Sequence, residues 1–159
     1  MGAAEGEINK AALGGRVSLT VEVERWPIRG AFTISRGSKR EAVVVIATVS
    51  DGRYRGRGEC VPYARYGESI EDVVAAIEGC AGAVAEGPTQ AGLQSLLPAG
   101  AARNALDCAL WDFEAKRSGR SAAKLAGLPS LHAVETAFTI SRGSKREAVV
   151  VIATVSDGR

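Results

Sequence analysis

The segment AFTISRGSKREAVVVIATVSDGR occurs twice, at residues 31–53 and again at residues 137–159, with no substitution between the copies. Two copies of one strand-like word cannot fill the same place in one sheet. The duplication therefore divides the chain into a unit that ends near residue 136 and a second copy that must go elsewhere. A chain of 159 residues has room for one domain with a tail, not for two large cores. An old duplication accumulates substitutions, so the identity of the copies reads as a junction artefact or a recombination event rather than an evolved tandem repeat.

Charge and hydropathy leave few special classes open. With 46% hydrophobic and 24% charged residues and a formal net charge of +2, the chain is balanced globular material, and neither a nucleic acid nor an acidic membrane surface is expected as a partner. No run approaches the roughly eighteen apolar residues of a membrane span. The opening MGAAEGEINKAALGGR lacks a long apolar stretch and carries acidic residues, which reads as a flexible leader over residues 1–16 of a cytoplasmic protein. Cys60, Cys80 and Cys108 have no C-x-x-C spacing and His132 stands alone, so reduced, buried or half-buried thiols, a loop histidine and no metal site are expected.

Residues 18–26, SLTVEVERW, alternate: Leu19, Val21 and Val23 fall on one side, Thr20, Glu22 and Glu24 on the other, the period of a strand with one wet face. A β-branched run follows in EAVVVIATVS, then Asp51-Gly52 as a hairpin signal and a short strand from Tyr54 to Cys60, together predicting a three-stranded antiparallel meander. From Ser69 the period becomes helical. Ser69 is the expected N-cap of one helix reaching Gly87-Pro88, with Glu71 and Asp72 in its first turn and an apolar stripe of Val73, Val74, Ile77, Cys80, Ala81 and Val84. TQAGLQSLL predicts a short second helix closed by Pro98. AGAARNALDCALWDFEAKRSG predicts a third, with Ala102, Ala105, Leu106, Ala109, Leu110 and Phe113 on one face and Gly119 past its end; SAAKLAG adds a turn or two. The fold class is α+β, a meander followed by a helical bundle.

Three stretches go further: WPIRGAFTISRGSKREAVVV at 26–45, GECVPYARYGES at 58–69 and LPAGAARNALDCALWDFEAKRSGRSAAKLAG at 97–127. In wording and order the chain resembles the N-terminal capping domain of the enolase superfamily, and in particular the dipeptide epimerases acting on L-Ala-D/L-Glu. The resemblance implies a capping domain over residues 17–136 that closes over a separate (β/α) barrel and lends two loops to the substrate pocket. The first loop maps to Ala31–Arg40, where Arg36 matches the arginine that reads the acidic side chain of the dipeptide. A guanidinium suits that task because its planar fork gives a carboxylate two parallel hydrogen bonds. The second maps to Val61–Ser69, with Tyr63, Arg65, Tyr66 and Gly67 as substrate-binding candidates. A racemase of N-acylated acidic amino acids is the neighbouring alternative, and a non-enzymatic strand-pairing module is the reading from another class.

The family reaction removes the proton α to a carboxylate, with magnesium stabilising the enediolate and lysines acting as bases on opposite faces. The sequence offers no K-x-K pair, Asp107 and Asp112 fall about 140° apart around a helix, and Glu68, Glu71 and Asp72 read as helix-start charges. A (β/α) barrel takes about 250 residues, whereas residues 137–159 are all repeat. The expectation is a capping fragment without catalytic residues or metal ligands, inactive alone, whose second copy of the strand favours self-association.

Overall fold

The computed structural model of the chain describes residues 16–34, 37–87 and 89–128. Arg36, His132, the leader up to residue 15 and the second copy at 137–159 lie outside the described residues. The α+β reading holds: three antiparallel strands, β1 (Ser18–Ile34), β2 (Gly37–Ser50) and β3 (Arg55–Cys60), lie in the order β1-β2-β3. Five helices follow, α1 (Ile70–Glu78), α2 (Ala81–Ala85), α3 (Gln90–Leu96), α4 (Ala101–Ser118) and α5 (Ala122–Leu125). Among the described residues there is no (β/α) barrel.

Register explains which side of the sheet meets the helices. Leu19 faces Val49, Val21 faces Ala47 and Val23 faces Val45, so one row of the alternation sets β-branched and small apolar side chains towards the helices. Val45, Ala47 and Val49 are fully buried there, with Ile77 of α1, Leu93 of α3 and Leu106 of α4 in the same core. Each large aliphatic side chain sealed in this way contributes about 1.5–3 kcal/mol. Val23 departs from the expectation: it is 44% exposed, although Val45 opposite it is fully buried. On the opposite face Arg57 of β3 reaches Glu24 of β1 at 2.6 Å, across β2.

The segment expected as the first loop is largely strand. Pairing runs from Ser18↔Ser50 to Pro27↔Glu41, shifts, and resumes at Phe32↔Lys39, Thr33↔Ser38 and Ile34↔Gly37. Residues on both flanks of Ser35-Arg36 are therefore a two-stranded ribbon. The shift places extra residues of β1 opposite β2 at a bulge holding Gly30 at φ 79°, which bends such a ribbon without ending it. At the other end of β2, Asp51 closes the turn: its Oδ1 accepts the N–H groups of Arg53 and Tyr54 at 2.9 and 2.7 Å.

The single helix expected from Ser69 to Gly87 is two. Ser69 Oγ accepts the Asp72 N–H at 3.0 Å and starts α1 as predicted, but α1 stops at Glu78 and α2 begins at Ala81. Glycine in a helix interior costs about 1 kcal/mol, and Gly79 marks the break. Ile77, Cys80 and Val84 are still buried, whereas Ala81 is exposed.

β3 carries the least legible packing feature. Gly56, Gly58 and Cys60 are its buried positions, and the first two have no side chain. A Cβ on Gly58 would strike the backbone of Ala105 and Ala109, and one on Gly56 the backbone of Ala109 and Phe113. α4 lies directly on these glycines, presenting Ala105 and Ala109, its own small residues four apart. Polar side chains of α4 then close the outer edge of β3. Asp112 Oδ2 accepts the Arg57 N–H at 2.9 Å, Asn104 Nδ2 donates to the Glu59 carbonyl at 3.3 Å and Lys116 Nζ donates to the Arg55 carbonyl at 3.0 Å.

Candidate functional site

Beyond Cys60 the chain leaves β3 and makes one turn of 3-10 helix, Ala64–Tyr66. The Tyr66 N–H donates to the Tyr63 carbonyl at 2.8 Å and the Gly67 N–H to the Ala64 carbonyl at 3.0 Å. Gly67 sits at φ 75°, a left-handed conformation that glycine adopts without a Cβ penalty. This turn brings Tyr63, Arg65, Tyr66 and Gly67 together, all exposed. The two tyrosine rings meet edge to face at 5.5 Å between centroids. Tyr66 nevertheless keeps 77% of its surface in solvent. Arg36, the fifth candidate, lies outside the described residues.

What holds this turn is Glu68, which the sequence reading took for a helix-start charge. Its Oε2 accepts the Tyr63 N–H at 3.0 Å and its Oε1 accepts the Ala101 N–H at 2.7 Å. Ala101 opens α4, so the carboxylate also satisfies one of the free N–H groups at a helix start and meets the positive end of its dipole. The bonds from Ala101 and then Tyr63 pull the Glu68 carboxyl below its ordinary value. No local signal marks this role, because Ala101 is far along the chain.

Beside the turn is an open recess of about 560 Å³, lined by Tyr66, Gly67, Glu68, Asp72, Leu97 and Ala101 among others. It offers an apolar floor and carboxylates but no nucleophile. Burial, followed by the charges of Glu68 and Glu59, pushes the Cys60 thiol up to about 11, which disfavours a thiolate. Burial also raises Cys80 and Cys108; Cys108 is exposed rather than half-buried. Among the described lysines, Lys39, Lys116 and Lys124 are exposed, and Lys116 is bound to Asp112 at 2.6 Å. Among the described residues no three His, Cys, Asp or Glu side chains gather to hold a metal ion, so they do not fit a magnesium site.

A sheet-and-bundle domain with this loop matches one family model. Residues 16–127 fit the mandelate racemase / muconate lactonizing enzyme N-terminal domain. The chain belongs to that family. It is 47% identical over 127 residues to the L-Ala-D/L-Glu epimerase of Escherichia coli (strain K12), covering 79% of this chain and 40% of the relative. It is 39% identical over 100 residues to an N-acetyl-D-glutamate racemase of Pseudoalteromonas sp, covering 62% and 31%. Among solved structures, an enolase family member from Agrobacterium tumefaciens with homology to dipeptide epimerases, with bound sodium and L-Ala-L-Glu and an ordered loop, matches with TM-score 0.74 and 51% identity. That match covers 80% of this chain and 39% of the other. A dipeptide epimerase from Methylococcus capsulatus, complexed with Mg and L-Arg-D-Lys, matches at 26% identity and TM-score 0.60 over 70% and 35%. The chain thus spans less than half the length of these family members. No helix among the described residues is long and apolar enough to cross a membrane.

Proposed function

We propose that this chain is the capping part of a dipeptide epimerase: it shapes the pocket around an acidic dipeptide and leaves proton transfer to a (β/α) barrel. The observation that carries this reading is Tyr66, a large aromatic left 77% exposed on a turn whose first residue, Tyr63, is tied through Glu68 to the start of α4. Exposed side chains on a rigid turn are what a binding loop requires. Tyr63, Arg65, Tyr66 and Gly67 form one wall, and Arg36 receives the side-chain carboxylate of the dipeptide through a bidentate fork. Magnesium, where the whole enzyme uses it, supplies charge stabilisation at the substrate carboxylate from ligands outside these residues. The chain alone has no epimerase activity in this reading. Self-association of the chain through the duplicated segment at 137–159 is a separate part of this reading.

Joining residues 16–136 to the barrel of the E. coli relative tests the proposal. Solvent deuterium should enter the glutamyl α-carbon of L-Ala-L-Glu. A chimera that folds and loads metal yet gives no exchange would overturn it. A second reading, a cap for an N-acylated acidic amino acid racemase, is favoured by the 39% identity to the racemase relative. Exchange on N-acetylglutamate but not on L-Ala-L-Glu would select that reading.

A further inference from the structure

The two edges of the sheet are not equivalent. The outer edge of β3 is stopped by Asp112, Asn104 and Lys116 of α4, which occupy backbone groups of Arg57, Glu59 and Arg55. Among the described residues nothing comparable guards β1: no side chain bonds to its outer backbone groups and no strand lies beyond it. Two of its charges are turned inwards instead: Glu24 to Arg57 and Arg25 to Glu41. An edge left in this state is a template for another strand.

We propose that the outer edge of β1, from Ser18 to Trp26, receives residues 147–156 of a second copy of the chain. The fit is written in the sequence. Residues 147–156 repeat residues 41–50, the strand already paired with the inner edge of β1, so β1 would lie between two strands of one sequence. Facing β1 from outside, Val151, Ala153 and Val155 would continue the row that Val45, Ala47 and Val49 form inside. They would cover Val23, now 44% exposed, along with half-buried Leu19 and Val21.

A second copy is the occupant proposed, because the incoming strand must start at the end of the sheet away from the one where α4 finishes. The contacts of Asn104 with Glu59 and of Lys116 with Arg55 show α4 running antiparallel to β3, so the chain leaves α4 at the end of the sheet where Arg55, Ser50 and Ser18 lie in register. A strand antiparallel to β1 starts at the opposite end, beside Trp26. In one molecule residues 129–146 would have to run back along the nine residues of this edge, about 30 Å, a distance eighteen residues can span, so a monomer that pairs its own segment is the competing outcome of the test. Between two molecules that path is not imposed, and a two-fold exchange makes the same contact twice.

The full chain should therefore show concentration-dependent dimerisation by sedimentation velocity, with slow amide exchange along both edges of β1. Ala153→Pro removes a ladder donor from the incoming strand, and Val23→Lys places a charge in the row it covers at a position already exposed. Each should raise the apparent dissociation constant about tenfold or more and speed exchange at β1 while β3 is unchanged. The near-ultraviolet dichroism of each variant reports whether the cap stays folded. A monomer at all concentrations, dimerisation indifferent to both substitutions, or protection gained at β3 instead of β1 would overturn the proposal.

Discussion

Glu68 accepts the Ala101 N–H at 2.7 Å while its other oxygen holds the Tyr63 N–H at 3.0 Å. One carboxylate thus couples the candidate binding turn to the first residue of the longest helix. Glu68→Ala should speed amide exchange from Tyr63 to Gly67 while leaving β2 unchanged. Glu68→Gln should show an intermediate effect, because a carboxamide keeps one acceptor oxygen and its NH2 cannot accept the second N–H.

The same coupling sets a pH dependence. The folded carboxyl is lowered from its ordinary value of 4.5 by the Ala101 and Tyr63 N–H groups. Its contribution is therefore fully present above that value and lost as pH falls through the lower, folded one. Amide shifts of Ala101 and Tyr63 should move together in acid titration, with a midpoint below 4.5. A midpoint at or above that value would mean that the tether is not made in solution.

Gly58→Ala should be among the most damaging small changes. Its Cβ would enter the backbone of α4 at Ala105 and Ala109, forcing helix and sheet apart. Overpacking of this kind costs about 1–3 kcal/mol and occasionally more, and thermal unfolding of the variant measures it. Gly67→Ala, where the Cβ meets open space but φ is 75°, should cost less.

These residues also show where the sequence was readable. Alternation from Leu19 to Val23, the Asp51 turn, the Ser69 cap and the buried face of α4 depend on neighbours a few positions away, and each was legible. The break at Gly79 was not, because the stripe of Ile77, Cys80 and Val84 keeps helical spacing across it. Gly56 and Gly58 alternate with the period of the strand, a signal of close backbone approach that could have been read. Glu68 could not, since its partner is distant in sequence. The loop expected around Arg36 became a ribbon because its flanking residues pair through a bulge, and the bulge itself breaks the alternation.

Without a gathered set of carboxylates among the described residues, the isolated chain should not exchange the glutamyl α-proton of L-Ala-L-Glu in heavy water with magnesium present. NMR integration of that proton over time is the check. Exchange above buffer that follows the protein through purification would contradict the division of labour between cap and barrel.

The most direct measurement concerns Arg36. In the chimera of residues 16–136 with the E. coli barrel, Arg36→Ala is to be compared on L-Ala-L-Glu and on the uncharged L-Ala-L-Leu. Loss of a charge-assisted fork should lower kcat/KM for the acidic dipeptide about 10- to 100-fold, mainly through KM, and leave the uncharged one nearly unchanged. Equal losses on both dipeptides, or no loss on either, would contradict the claim that this cap reads an acidic side chain.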